Sequence, residues 1–191
     1  MKTELKIIKH FIENKKPKTI RELAQQIKAD YKITHTAIQR LIEKKALNVQ
    51  TVGNSSLCRL DETYYNIEIY EAENERKEHI LKNSNIKQLY KEVTSKINTN
   101  FFVFLLFGSY AKNKQTKTSD IDLLLISNEK DFENRISNIL SLLPLKTQVL
   151  VFTEEEFIRM KDAKKPNVIH EVIENNIILY GIETYYRMKH A

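Results

Sequence analysis

The segment Leu106-Phe107-Gly108-Ser109, followed after ten residues by Asp120-Ile121-Asp122-Leu123, constrains this chain more than any other. Phe101 to Phe107 is a seven-residue apolar run rich in aromatics, and it ends at one of only three glycines. Such a run reads as a fully buried strand closing in a tight turn. A second apolar run, Ile121 to Ile126, begins between the two aspartates. Strand residues spaced by two face the same way, so Asp120 and Asp122 are expected on one face beside the Gly108-Ser109 turn.

Two carboxylates held this close repel unless a cation lies between them, and hard oxygen ligands beside phosphate favour Mg²⁺. Glycine lets the backbone approach a ligand that a side chain would keep away, and a helix starting at Ser109 would aim free N–H groups at a phosphate. Lys112 and Lys114 add positive charge nearby. The pattern is that of a phosphoryl or nucleotidyl transfer site.

These residues resemble the nucleotidyltransferase superfamily that includes polymerase beta, and especially its minimal members. Gly108-Ser109-Tyr110-Ala111-Lys112 and Ser119-Asp120-Ile121-Asp122 carry the likeness. It extends from roughly Ser84 to Ala191, where Leu179-Tyr180-Gly181-Ile182-Glu183 and Tyr185-Tyr186 are similar to the tail of related prokaryotic proteins. The resemblance implies a small mixed sheet flanked by helices. It implies that Gly108, Ser109 and Lys112 bind a nucleoside triphosphate, expected to be ATP, and that Asp120 and Asp122 are catalytic and hold Mg²⁺. The implied acceptor is a protein, small-molecule or nucleic-acid hydroxyl. A toxin-like protein is among the candidates, because minimal members often act as antitoxins that modify a helical toxin.

One position departs from that family. Active members carry a third acidic residue on the following strand, expected here over Gln148 to Phe152, and this chain offers Gln148. Glutamine is neutral and a poor base, and general-base help is worth about 10²- to 10⁴-fold. Glu154, Glu155 and Glu156 are the nearest acids, but Thr153-x-x-Glu156 has the form of a capping box, where acids offset the helix dipole. The alternative function is therefore a transcriptional regulator whose nucleotidyltransferase domain senses a nucleotide with weak or no turnover.

Charge divides the chain. Residues 1–60 hold 13 Lys and Arg against 5 Asp and Glu, a net of +8 within a whole-chain net of +6. A polyanion partner is expected for this part, with binding that weakens steeply with salt. Its pattern resembles a winged helix-turn-helix: a helix over Glu4 to Asn14 with Leu5, Ile8 and Ile12 on one face, a capping box at Thr19-Ile20-Arg21-Glu22 opening a helix to Ile27, and a third helix over Thr34 to Lys45. Ile38, Leu41 and Ile42 would face the core. His35, Thr36, Gln39 and Arg40 would face outward, able to reach DNA base edges and phosphates. Two extended runs around Gly53-Asn54 would form the wing. No second His or Cys stands at ligand spacing from His35, which argues against a metal there.

The resulting expectation is an α+β chain. It comprises a winged helix-turn-helix over 1–60, a charged helical connector over 61–83 and a nucleotidyltransferase-like domain over 84–191. In the connector the apolar positions Tyr64, Ile67, Tyr70 and Ile80 are sparse, which suggests a solvated bridge or a homodimer helix. Ser84 to Ile97 reads as an amphipathic helix through Ile86, Leu89, Val93 and Ile97. Asp131 to Leu142 and Pro166 to Asn176 read as helices, and Ile177 to Tyr180 as a strand. Tyr185 and Tyr186 are expected to pack rather than stack on a base. The single cysteine, Cys58, excludes an intramolecular disulfide. No secretory signal or bilayer-length apolar run is evident, so no membrane partner and a cytoplasmic location are expected.

Overall fold

The computed structural model describes residues 2–53, 55–99, 101–116 and 118–191. The chain forms two compact units, Met1–Glu75 and Arg76–Ala191.

The first unit opens with α1 (Thr3–Glu13), which buries Ile7, Ile8 and Phe11. The expected stripe of Leu5, Ile8 and Ile12 is rotated, because Phe11 offers the larger apolar surface and turns inward while Leu5 and Ile12 stay partly exposed. After β1 (Lys18–Thr19), the expected capping box starts α2 (Ile20–Gln26). Thr19 Oγ1 accepts from the Glu22 N–H at 3.2 Å, and the Thr19 N–H donates to Glu22 Oε2 at 2.7 Å. The next helix, α3 (Tyr31–Glu43), starts three residues before the expected Thr34. Asp30 is its cap, accepting from the N–H groups of Lys32 and Ile33. Thr34, Ala37, Ile38 and Leu41 are buried, and Ile42 is only partly so.

Two longer strands follow, β2 (Leu47–Val52) and β3 (Ser55–Leu60). The sheet order is β1-β3-β2, antiparallel throughout, so β3 is central. Cys58 pairs with Lys18 on one side and Val49 on the other and is fully buried. Gly53 lies in the turn between β2 and β3 with φ +58°, and Asn54, the other half of the expected turn, lies outside the described residues.

The charged segment after Leu60 corrects the expectation of a solvated connector. Helix α4 (Ile67–Ile80) buries Ile69, Ala72, Glu68, Glu73 and Arg76, with Glu73 only 1% exposed, while Ile67 is 60% exposed. Glu68 takes hydrogen bonds from Lys44 Nζ and Tyr64 Oη, so its charge is compensated. Arg76 donates to the main-chain carbonyl of Asn176, whose own amide donates to the Val172 carbonyl and to Tyr185 Oη.

In the second unit, α5 (Ser84–Lys96), capped by Asn83, buries Ile86, Leu89 and Val93 as its spacing predicts. The first strand, β4 (Val103–Leu106), is shorter than the expected seven residues, and Phe101 is 84% exposed. It is followed by the single turn α6 (Gly108–Ala111) and by β5 (Ile121–Ile126). Then come α7 (Phe132–Ser141), β6 (Thr147–Phe152), α8 (Glu154–Lys161), α9 (Val168–Glu174), β7 (Ile177–Tyr180) and α10 (Ile182–His190). Asn167 caps α9, so Pro166 stands just ahead of the helix and not inside it. Tyr185 and Tyr186 are buried in α10.

The sheet order is β6-β5-β4-β7, with β5 and β6 parallel and the other pairs antiparallel, giving a mixed sheet. Phe104, Leu106, Ile121, Leu123 and Leu125 share one core cluster with Ile86, Leu89, Val93, Phe132 and Ile136. Because strand residues alternate, Asp122 on β5 turns to the opposite face of the sheet from that cluster. No helix of the described residues is long and apolar enough to cross a membrane.

Candidate functional site

The end of β4 and the start of β5 are locked together at the main chain. Leu106 pairs with Leu123, and the Phe107 N–H donates to the Asp122 carbonyl at 3.0 Å. This brings Gly108 directly against the Asp122 side chain. Gly108 has φ +65°, and a β-carbon there would stand 1.9 Å from Asp122 Oδ2 and 2.7 Å from its Cγ. Only glycine fits both the left-handed backbone and the closeness of the carboxylate. The Ser109 main-chain amide faces that carboxylate and favours its charged form.

Asp122 is partly buried and holds its proton above the usual aspartate range. Burial is the main cause; the Ser109 N–H opposes it, the charges of Asp120 and Glu171 add to it, and Lys112 subtracts. Asp120 is exposed just before β5. It lines a groove of about 680 Å³ together with polar residues such as Glu133 and Lys146 and apolar ones that include Leu140, Val149 and Val151. Val149 and Val151 alternate with Gln148 along β6, so this groove lies mainly on the other side of the sheet from Asp122. Ser119 Oγ accepts from the Thr116 N–H at 2.9 Å, tying the loop ahead of Asp120.

Gln148 is exposed on β6 and stands in parallel register with Asp122. The strand that the motif expects to carry a further acid thus presents an amide beside Asp122. Glu154 and Glu155 belong to the first turn of α8, where Thr153 and Glu156 form the expected capping box. Among the described residues no group of three or more His, Cys, Asp or Glu gathers to hold a metal. Two carboxylates meet the needs of Mg²⁺ when phosphate oxygens and water complete its shell.

Lys112 caps the C-terminal end of α6, and its Nζ lies 2.8 Å from Glu171 Oε1 on α9. Glu171 is 59 residues away in sequence and belongs to no motif, so the linear pattern gave no reason to join it to the site.

A second candidate surface lies on α3. His35, Thr36, Gln39 and Arg40 are all exposed there. Thr36 Oγ1 donates to the Lys32 carbonyl at 3.0 Å, and Arg40 pairs with Glu4 at 3.1 Å while remaining largely exposed. Tyr31, outside the helix as first delimited, lines a groove of about 570 Å³ with Arg21, Ala24, Gln25 and Ala29.

A family described as "Polymerase beta, Nucleotidyltransferase" matches residues 84–184, more than half of the sequence. The chain belongs to the polymerase beta nucleotidyltransferase family. A relative from Methanocaldococcus jannaschii, named "Putative protein adenylyltransferase", is 36% identical over 83 residues, which cover 43% of this chain and 57% of that protein. The chain thus spans little more than half the length of the curated relative it matches.

Proposed function

We propose that this protein transfers a nucleoside monophosphate from a nucleoside triphosphate, first among them ATP, to a hydroxyl of a protein acceptor, and that its N-terminal unit is a winged helix-turn-helix that binds DNA. The observation that carries the transfer reading is the fit of Gly108 to Asp122, with the Ser109 N–H on the same carboxylate. Asp120 and Asp122 would hold Mg²⁺, which when bound neutralises charge on the phosphates. The Gly108-Ser109 turn would cradle the triphosphate and Lys112 would meet its outer oxygens, while the half-buried setting of Asp122 keeps bulk water from competing. The name of the archaeal relative favours a protein acceptor, and a small helical toxin-like protein is one such candidate.

Support for the DNA-binding reading comes from three helices followed by an antiparallel hairpin, the net charge of +8 over residues 1–60, and the four exposed polar side chains of α3. The division of labour would then be residues 1–60 for DNA and 84–191 for nucleotide, joined by the segment 61–83. Gln148 in register with Asp122 favours a second reading, a regulator that binds nucleotide as a signal with little turnover.

The deciding experiment is calorimetric titration of ATP, GTP, CTP and UTP with Mg²⁺ into the parent and an Asp120→Asn/Asp122→Asn variant, with pyrophosphate release followed in parallel. Binding lost in the variant together with pyrophosphate release supports transfer. Binding without release in the presence of candidate acceptors supports the sensor, and a nucleotide-dependent change in DNA affinity would then be required of it. Absence of binding removes both.

A further inference from the structure

The Lys112–Glu171 ion pair is accounted for neither by the motif nor by the packing. It joins the turn after Gly108-Ser109 to α9, and both of its members are substantially exposed, at 36% and 51% of their side chains. Exposed pairs of this kind add little to stability, so the fold does not depend on this one. The glutamate is well anchored. Its helix is seated by buried Ile169 and Val172, capped by Asn167, and held at its far end by the Asn176 amide on the Val172 carbonyl. The lysine is a flexible four-carbon stem on a single helical turn. Its charge also acts on Asp122, where Lys112 and Glu171 work in opposite senses. An ammonium that settled on Asp120 or Asp122 would occupy the oxygens a cation needs and would be lost to the triphosphate.

We infer that Glu171 is a positioning residue that holds the Lys112 ammonium at the Gly108-Ser109 turn and off the carboxylates of Asp120 and Asp122. The inference rests on the nucleotidyl-transfer reading of this site. Glu171 touches neither substrate nor metal; it acts through Lys112, leaving two carboxylates for the cation and one ammonium for the phosphates.

The test uses the full chain with Mg²⁺ and whichever of the four nucleoside triphosphates the parent binds most tightly. Nucleotide affinity, the Mg²⁺ concentration giving half-maximal binding, and the thermal midpoint are measured for Glu171→Gln, Glu171→Asp, Lys112→Gln, Lys112→Gln/Glu171→Gln and the charge swap Lys112→Glu/Glu171→Lys. Lys112→Gln should weaken nucleotide binding by about tenfold, the worth of one charge-assisted contact. Glu171→Gln should weaken it several-fold, at roughly unchanged thermal midpoint, and raise the Mg²⁺ requirement. The double variant should bind nucleotide no worse than Lys112→Gln, with its Mg²⁺ requirement restored to that of the parent, because no freed ammonium remains to compete. Glu171→Asp should recover much of the affinity. The swap should fail to recover it, since a merely structural pair works in either orientation and a positioned lysine does not. Effects of the two single variants that add in the double, recovery by the swap, or an indifferent Glu171→Gln overturns the inference while leaving Asp122-dependent binding intact. Loss of nucleotide binding in the parent itself overturns the inference together with the reading beneath it.

Discussion

Gly108 and Asp122 are in contact so close that residue 108 has no room for a β-carbon: one would fall 1.9 Å from the carboxylate oxygen. The glycine is therefore fixed by the aspartate as well as by its own backbone angle.

Gly108→Ala is expected to cost about 1–3 kcal/mol from left-handed backbone strain alone and to push the Asp122 carboxylate aside, removing Mg²⁺-dependent nucleotide binding. Gly53→Ala serves as the control, because it shares a positive φ but has open space around it. Its cost should be limited to about 1–2 kcal/mol, with nucleotide binding unchanged. Urea unfolding and calorimetry on the two variants check the contrast.

Asp122→Asn should abolish transfer yet stabilise the metal-free protein at neutral pH. The partly buried carboxyl keeps its proton to higher pH when folded than when unfolded, so between those two ranges the folded state binds more protons and stability falls as pH rises. The amide removes that cost. The advantage of the variant should be full above the raised folded range and vanish below the ordinary carboxylate range. Unfolding in EDTA from pH 3 to 8 measures it, and a variant less stable than the parent at pH 7 would sink the argument.

Gln148→Asp restores a carboxylate in register with Asp122. If the parent is slow for want of a base, pyrophosphate release should rise, by as much as about 10²- to 10⁴-fold. An unchanged rate would mean that the acceptor hydroxyl is activated elsewhere.

On α3 the expected effects separate by chemistry. Gln39→Ala should lose about 1–3 kcal/mol of discrimination at one base position, whereas Arg40→Ala should weaken all DNA sequences alike and flatten the dependence of affinity on salt. Fluorescence titration of the full chain at several salt concentrations distinguishes the two, and salt-independent binding would contradict the placement of DNA on this face.

Arg76→Ala should destabilise the protein by about 1.5–3 kcal/mol, the usual worth of a hydrogen bond made by a charged group, because it leaves the Asn176 carbonyl without its buried donor. Thermal unfolding reads this directly.

Local chemistry was the legible part. The boxes at Thr19/Glu22 and Thr153/Glu156, the amphipathic stripe of α5 and the strand at Ile177–Tyr180 depend on neighbours within a few residues, and each stands where its spacing puts it. Misreadings arose where tertiary contacts decide. Phe101 belongs to an apolar run by type but lies outside the sheet, so hydrophobicity overestimated β4. Helix α4 buries Glu68, Glu73 and Arg76, and a stripe completed by charged groups cannot be seen by counting apolar residues. Gly108 and Asp122, expected beside each other from their spacing, stand in contact, while Glu171 comes near them only through the fold.

The burial of Cys58 in the middle strand of the N-terminal sheet has a practical sequel. A thiol reagent can reach the sulfur only when hydrogen-bonded neighbours part, and burial pushes the thiol's ionisation to higher pH. With one cysteine in the chain, the rate of labelling becomes a residue-specific clock for the opening of that sheet, readable without introducing a probe. Slower labelling with DNA present would register occupancy of the N-terminal unit from inside its own core.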